Sequence, residues 1–223
     1  MEKLRSREKT GRTLAEKLAR YSSVPNVLVL GLPRGGVEVA YEIAQALKAP
    51  LDVMIVRKIG VPGYKEIPLG VVSIGGARFI NPDVVEEFHL SQEEIEEVVC
   101  TELGEVERLE KAYRGSRAPL DVRDRVAILV DDGIVTGSTM RTAIDALKKL
   151  GPARIVIAVG VTPLSTHLIL GSEVEEIISL ITPRELPAVG QFYEHFPQLT
   201  DKDVKRFLDD AAALGAHWAA SGS

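Results

Sequence analysis

Continuous apolar runs alternate along the chain with segments whose apolar residues recur every three or four positions. The runs predict strands buried on both faces, and the spaced segments predict helices. The predicted strands are 26–30, 51–57, 71–74, 126–130, 154–161 and 174–181, and the predicted helices are 13–21, 37–48, 83–114, 139–150 and 201–214. Repeated strand–helix units of this kind favour an α/β fold with a mostly parallel, doubly wound sheet.

The helical segment at 83–114 stands out as an insertion between two strand–helix units. Ser91 and Glu94 have the spacing of a capping box, and apolar positions from Ile95 to Tyr113 form one stripe. That stripe packs either on the parent domain or on a second subunit. An exposed stripe would make a homodimer reasonable.

One segment combines a strand with groups suited to a phosphorylated sugar. The apolar run from Val126 ends at Asp131 and Asp132, and a hydroxyl-rich loop, Val135-Thr136-Gly137-Ser138-Thr139, precedes a predicted helix. Carboxylates at the end of a parallel strand can accept hydrogen bonds from sugar hydroxyls, and a loop at a helix N-terminus is suited to bind a phosphate. The alternative is an ordinary strand–turn–helix unit in which an aspartate caps the helix.

A second candidate anion site follows the strand at 26–30. Gly35 and Gly36 permit close backbone approach, and Arg34 adds a fork of donors that suits phosphate oxygens. The alternative is a tight turn with an arginine that faces solvent. The turn lacks the glycine spacing of a dinucleotide fold, and the chain has no ATPase-type phosphate loop with its lysine. Gly133 occupies the position where haloacid-type phosphatases need a second acidic residue.

With these residues the chain resembles the type I phosphoribosyltransferases. The signature of that family is four apolar residues, an acidic pair and a short loop ending in Thr-Gly-x-Thr, from which Gly133 is one departure. The resemblance implies that Asp131 and Asp132 bind the 2′- and 3′-hydroxyls of phosphoribosyl pyrophosphate (PRPP). It also implies that the loop 135–139 binds the 5-phosphate, and that Arg34, Gly35 and Gly36 bind the pyrophosphate.

The segment 58–70 is predicted as a mobile loop because three glycines and two prolines interrupt it. In the resembling family, a similar Val-Arg-Lys precedes a flexible loop that closes over the reacting centre and excludes water. The resemblance therefore implies that Arg57, Lys58 and Lys65 contact the pyrophosphate, with Arg57 and Lys58 counted as catalytic. For Lys65, an exposed position on a charged surface loop is an equal alternative.

The whole chain, 1–223, is predicted to form a single phosphoribosyltransferase-like domain with a small hood. Family members select their acceptor with such a hood, and the segment at about 183–197 is the candidate here. Phe192 or Tyr193 could stack on a flat base, although an aromatic cluster is more often part of a core. The sequence does not distinguish among purine, pyrimidine and other nitrogen acceptors.

Composition narrows the choice of partners. The 223 residues carry a net charge of −5 with a pI near 5.5, which argues against a nucleic-acid-binding surface.

No apolar run approaches membrane-spanning length, and the segment 1–12 has no apolar core for export, so we expect a cytoplasmic protein. The four histidines lack metal-ligand spacing. A zinc ion ligated by the protein therefore has little support. The resemblance implies magnesium instead, held mainly by the pyrophosphate and ribose oxygens of PRPP and by water, without direct ligation by the protein; Asp131 or Asp132 could help through a water.

The activity that the resemblance implies is transfer of the 5-phosphoribosyl group from PRPP to a nitrogenous acceptor, with release of pyrophosphate, as in nucleotide salvage. A PRPP-sensing regulator or a partner-binding module on the same fold is the alternative. A third possibility is hydrolysis or transfer on another phosphosugar, which would retain the phosphate loop but need no base.

Overall fold

The computed structural model describes residues 3–115, 117 and 120–221, and a five-stranded parallel sheet lies at its centre. The strands of the described chain are β1 (Val27–Gly31), β2 (Leu51–Val53), β3 (Val56–Val61), β4 (Tyr64–Ser73), β5 (Arg78–Ile80), β6 (Val126–Gly133), β7 (Arg154–Val161) and β8 (Glu176–Ile181). Its α-helices are α1 (Arg7–Lys17), α2 (Gly35–Leu47), α3 (Pro82–Glu87), α4 (Gln92–Arg114), α5 (Ser138–Leu150), α6 (Leu164–Gly171) and α7 (Asp201–Ser221).

The central sheet has the strand order β2-β1-β6-β7-β8, and every neighbouring pair is parallel. Alternate residues of each strand enter two different cores. Val27 and Val29 join the core built with α1 and α2, whereas Leu28 and Leu30 join the core built with α5. Because both faces are covered, the strands contain no polar alternation, which confirms the predicted mostly parallel, doubly wound α/β fold.

The structure corrects the prediction of a loop over 58–70, because this segment is a β-hairpin, and the predicted mobility stays a prediction. β3 and β4 pair antiparallel, and β5 extends them into a second, three-stranded sheet. Val61 lies opposite Tyr64 across the turn Pro62-Gly63, in which Gly63 has a φ of 79°. Proline followed by a positive-φ glycine is the sequence of a type II turn. Pro62 and Gly63, which were interpreted as loop-forming, are therefore the residues that reverse the direction of the chain between β3 and β4.

The helical insertion is two helices, α3 and α4, which are separated at His89, whose φ is 51°. The predicted capping box is confirmed, since Ser91 accepts from the Glu94 backbone and the Glu94 side chain accepts from the Ser91 backbone. The apolar stripe lies on the inner side of α4, where Val99 and Val106 are buried in the core shared with the hairpin and α7. The prediction that an exposed stripe favours a dimer therefore loses its basis, and the homodimer itself stays a prediction.

The candidate hood segment 183–197 is mostly irregular, with a 3₁₀ turn at Val189–Phe192. It is tied to the N-terminal segment because Leu4 donates to the carbonyl of Phe192 at 2.8 Å and accepts from Glu194 at 2.8 Å. α1 begins at Arg7 with Ser6 as its N-cap, earlier than the predicted start at 13. None of the described helices combines the length and apolar character that a membrane crossing requires.

Candidate active site

The candidate site lies where the winding of the central sheet changes direction. The chain leaves β1 through α2 towards β2 on one side, and leaves β6 through α5 towards β7 on the other. The carboxyl ends of β1 and β6 are neighbours, and the backbone of Leu32 donates to the carbonyl of Val130 at 2.9 Å. The loops diverge beyond this point and leave a crevice, which is where open α/β sheets bind ligands.

Asp131 lies at the floor of that crevice. One of its carboxylate oxygens accepts from the backbone N–H of Asp132 at 2.8 Å, and its side chain lines a cavity of about 170 Å³. Burial is the main cause that raises the pKa of Asp131 well above its ordinary value, and the adjacent charge of Asp132 raises it further. A partly buried carboxylate with a raised pKa in a cleft is a candidate for binding or proton exchange.

The hydroxyl-rich loop forms the opposite wall of the same cavity. Gly137 adopts a φ of 82° immediately before α5, and Thr139 and Met140 in the first turn of that helix line the cavity together with it. Two contacts to neighbouring elements fix the loop. Ile134 donates to the carbonyl of Val161 at 2.9 Å, and the Thr166 hydroxyl donates to the carbonyl of Val135 at 3.2 Å. Such a loop at a helix N-terminus is suited to a phosphate.

Lys58 reaches this cavity from the hairpin. It is exposed and lines the cavity together with Asp131, Met140 and loop residues between 133 and 139. Lys58 and Thr136 also border a wider cleft of about 760 Å³ between the hairpin and the outer face of α5, where Ser138 lies. The structure thus brings a cation, a carboxylate and the phosphate loop together from three distant parts of the chain.

The structure places Arg57 outside the cavity that it was predicted to border. Neighbouring residues of a strand point to opposite faces, so Arg57 and Lys58 cannot both face the cavity. The Arg57 guanidinium pairs with Glu102 of α4 at 2.9 Å, on the face of the hairpin away from the phosphate loop. Lys65 is exposed on β4 and is not among the residues that line the cavity, so the structure gives it the surface position that the sequence left open.

The glycine turn after β1 lies directly against the acidic pair. A β-carbon on Gly35 would collide with the carboxylate of Asp132, and one on Gly36 would come within 2.9 Å of the Cα of Asp131. Glycine at both positions is what permits this approach. Arg34 precedes them as the N-cap of α2 and is exposed, and within the described residues it forms no ion pair. The turn beside the acidic pair therefore carries an exposed arginine without an ion-pair partner among the described residues.

Asp132 has a different environment from Asp131. Asp132 as a whole residue is only 8% exposed, and its carboxylate accepts a hydrogen bond from the Arg7 Nε–H at 2.7 Å. Sequence reasoning missed Arg7, which lies 125 positions away in a segment that reads simply as charged. The one local signal was Ser6, whose side chain accepts from the backbone of Lys9 and starts α1 at Arg7.

The aromatic residues of the hood are packed inside the protein. Phe192 and Tyr193 are 4% and 3% exposed, in a small core with Val161 and Leu186. The Tyr193 hydroxyl donates to the backbone carbonyl of Asp132 at 2.7 Å. The structure therefore favours the alternative weighed from the sequence, core packing, and leaves neither ring an open face on which a base could stack.

No group of three or more histidine, cysteine or acidic side chains in the described part of the chain is arranged to hold a metal ion. The acidic residues of the site are the pair at the end of β6 and Glu38 in the first turn of α2. The expectation that magnesium comes with PRPP stays a prediction.

The sequence and the fold are both similar to those of known proteins. A family model described as the phosphoribosyl transferase domain matches residues 2–168, which include β1, the glycine turn, β6 and the phosphate loop. The chain belongs to the phosphoribosyl transferase family. As a member of that family it has the mostly parallel sheet and the additional small antiparallel sheet described above.

Among solved structures, the fold is similar to that of TT1426 from Thermus thermophilus, with a TM-score of 0.79 and 36% identity over 94% of this chain and 99% of that one. A Mycobacterium tuberculosis protein named "Putative phosphoribosyl transferase Rv0571c" is 41% identical over 201 residues. That match covers 90% of this chain and 45% of the relative, so the chain spans about half of the relative's length. The "Bifunctional protein PyrR" of Alkaliphilus metalliredigens is 29% identical over 128 residues, which cover 56% of this chain and 64% of the relative.

Proposed function

We propose that this phosphoribosyl transferase domain transfers the 5-phosphoribosyl group of PRPP to a nitrogenous acceptor. One observation carries the proposal: Lys58, Asp131 and the phosphate loop 135–139 converge on one cavity at the switch point of the sheet, beside the glycine turn. The 5-phosphate has the N-terminus of α5 as its site, and the sugar hydroxyls have Asp131.

The reaction breaks the bond between the anomeric carbon and the pyrophosphate oxygen, and that electron pair leaves with pyrophosphate. The acceptor nitrogen supplies the electron pair of the new carbon–nitrogen bond and then loses its proton to solvent or to a base. Positive charge develops on the sugar and negative charge on the leaving group, so positioning and electrostatics provide the catalysis. No covalent intermediate with the protein is needed.

Two cationic side chains, Lys58 and Arg34, lie on different sides of the crevice and are available to the negative charge that develops on the leaving pyrophosphate. Lys58 reaches across from the hairpin, and Arg34 borders the glycine turn, so together they can stabilise the departing pyrophosphate. Asp131, which lines the same cavity, can accept hydrogen bonds from the sugar hydroxyls. Arg57 is not assigned to the leaving group, because its partner is Glu102.

Magnesium fits this arrangement as a companion of the substrate. The ion would be held by the phosphate and ribose oxygens of PRPP and by water, and Asp131, which lines the cavity, is placed to contact one of those waters. When bound, the ion would neutralise charge on the leaving pyrophosphate. This assignment needs no cluster of protein ligands.

The experiment is pyrophosphate release from magnesium–PRPP with pooled purine, pyrimidine and pyridine bases. Lys58→Gln is the test variant and Arg57→Gln is the matched control, since the two residues are neighbours on β3 with opposite faces. We expect a loss of roughly 10²-fold or more in turnover for Lys58→Gln, by analogy with the loss of one charge-stabilising donor, and a much smaller effect for Arg57→Gln. Equal losses would contradict the assignment of Lys58.

Binding of PRPP without turnover is the second candidate, and the hood gives it support. Phe192 and Tyr193 are buried, so the hood offers no aromatic platform for a base in this conformation. Calorimetric titration with magnesium–PRPP separates the candidates. Binding that depends on Asp131, without base-dependent pyrophosphate release, would favour a sensor, whereas base-dependent release favours the transferase.

A further inference from the structure

Arg7 has an unusual position for an arginine, because it is 5% exposed and has four partners from three segments of the chain. Its Nε donates to Asp132 at 2.7 Å, its Nη1 donates to the carbonyl of Pro197 at 2.7 Å, and its guanidinium lies 3.8 Å from the ring centroid of Phe196. Glu38 of α2 is 4.0 Å from the same guanidinium. One side chain thus joins the acidic pair, the first turn of α2 and the end of the hood segment.

This arrangement gives the two adjacent carboxylates different surroundings. Asp132 is buried, paired with Arg7, and in contact with the glycine turn through Gly35. Asp131 lines the cavity that Lys58 also borders. A buried carboxylate is stable only when it is paired and hydrogen-bonded, so Asp132 depends on Arg7 for its position.

We propose that Arg7 is a positioning residue for the transfer reaction, acting through Asp132. It holds the carboxylate of Asp132 in the wall of the site, supports the glycine turn, and fixes the hood segment to the acidic pair. Asp131 is then the carboxylate that contacts the sugar. The inference rests on the proposed phosphoribosyl transfer and deepens it by assigning separate roles to the two acidic residues.

Arginine suits this role better than lysine would. Its planar guanidinium donates in two directions at once and stacks on an aromatic ring, and the three contacts to Asp132, Pro197 and Phe196 use those properties together. A lysine would retain the charge next to Asp132 but not the second donor or the stacking. Arg7→Lys therefore separates the charge from the geometry, and Arg7→Met removes both.

The test is steady-state kinetics of magnesium–PRPP turnover, expressed per mole of folded protein. The variants are Arg7→Met, Arg7→Lys, Asp132→Asn and the double variant Arg7→Met/Asp132→Asn. Arg12→Met is the matched control, because Arg12 lies on the same helix and pairs with Glu42 at 2.9 Å in an exposed position. Thermal unfolding of each variant gives the folded fraction and any loss of stability.

We expect Arg7→Met to lower kcat by roughly 10- to 100-fold, the size of effect caused by misplaced groups, with little change in KM for PRPP. Arg7→Lys should fall between wild type and Arg7→Met. Because Arg7 acts through Asp132, the double variant should be no slower than Asp132→Asn alone.

Two results would overturn the inference while leaving the proposed function intact. One is an active wild type in which Arg7→Met loses stability but retains kcat per folded molecule. The other is a double variant whose loss is the product of the two single losses. A wild type without base-dependent turnover would instead overturn the proposed function, and the inference with it.

Discussion

Val189 of the hood lies directly against Gly133, so closely that a β-carbon at position 133 would overlap with its methyl groups. Val161 of β7 leaves no room on the other side, since its Cγ1 would be 3.1 Å from that β-carbon. Gly133 is also where the chain departs from the sequence pattern of type I phosphoribosyltransferases. The departure therefore has a steric cause, because the missing side chain makes space for the hood valine.

Gly133→Ala should destabilise the protein by about 1–3 kcal/mol, the usual effect of overpacking. The added methyl group must displace Val189 or shift β6. Val189→Ala in the same chain should recover part of the loss, because it empties the space that the new methyl group needs. Urea unfolding of both single variants and the double variant measures the coupling. Purely additive losses would show that the two residues do not share this space.

Substitution of Gly104 should have the opposite effect and stabilise the protein. It lies within α4, it is exposed, and a β-carbon there would meet nothing within 4 Å. Since alanine is favoured over glycine in a helix interior, Gly104→Ala should raise the free energy of unfolding by about 0.5–1 kcal/mol. The same urea titration tests this, and an unchanged or lower unfolding midpoint would contradict it.

Tyr193→Phe should destabilise the protein by about 1–2 kcal/mol. The substitution preserves the buried ring but removes the hydroxyl that donates to the carbonyl of Asp132 at 2.7 Å, which leaves a buried acceptor without this donor. Tyr64→Phe is the control, because Tyr64 is 55% exposed. Thermal unfolding should show a lower midpoint for the first variant only, and equal midpoints would remove the role assigned to this hydrogen bond.

Glu38 makes the stability of the protein depend on pH. Burial is the main cause that raises its pKa, and the charges of Glu8, Asp132 and Glu42 add to it, while Arg7 opposes the shift. A raised pKa means that the folded state binds the proton more tightly than the unfolded state. The contribution of Glu38 is thus most favourable below its ordinary value of 4.5 and is lost as the pH rises through the raised pKa.

Glu38→Gln should therefore unfold at a higher urea concentration than wild type at about pH 7, and the difference should shrink towards about pH 4, where the wild-type side chain is protonated. Glu87→Gln on the exposed surface of α3 is the control for an added amide. A difference that is constant across this pH range would point to packing instead of titration.

The central sheet was predictable from the sequence because each strand is buried on both faces. Runs such as Val126–Val130 need no partner information to be recognised, and the observed β6 contains the whole run. The phosphate loop was predictable for a similar reason, since its strand, acidic pair and helix are consecutive. Local sequence is sufficient wherever the structural cause is local.

The hairpin and the roles of its basic residues depend on information that composition does not carry. Glycine and proline in 58–70 indicated a loop, yet the pairing of Ile59 with Gly70 makes a ladder. Strand alternation then decides that Lys58 and Arg57 face different neighbours. Had the hairpin been recognised, the assignment of only one of them to the site would have followed from the sequence.

The contacts of Arg7 could not be predicted, because they join segments that are distant in the chain. Apart from the N-cap Ser6, nothing near Arg7 distinguishes it from the neighbouring basic residues, and its burial results from how α1, the hood and β6 pack together. The same holds for Val189 and Gly133. Both pairs form where the hood meets the acidic pair, a region whose packing is specified by the tertiary structure.

The pairing of β1 with β6 sets Val27 beside Val126, so the crevice joins two strands that are synthesised far apart in time. Pairing between such distant segments closes a long loop and is slow compared with local structure. A nascent chain that has made only β1 and the glycine turn has half of the crevice, and the phosphate loop completes it after β6 has entered the sheet. An intact crevice therefore marks a chain in which β1 and β6 have already paired during synthesis or refolding.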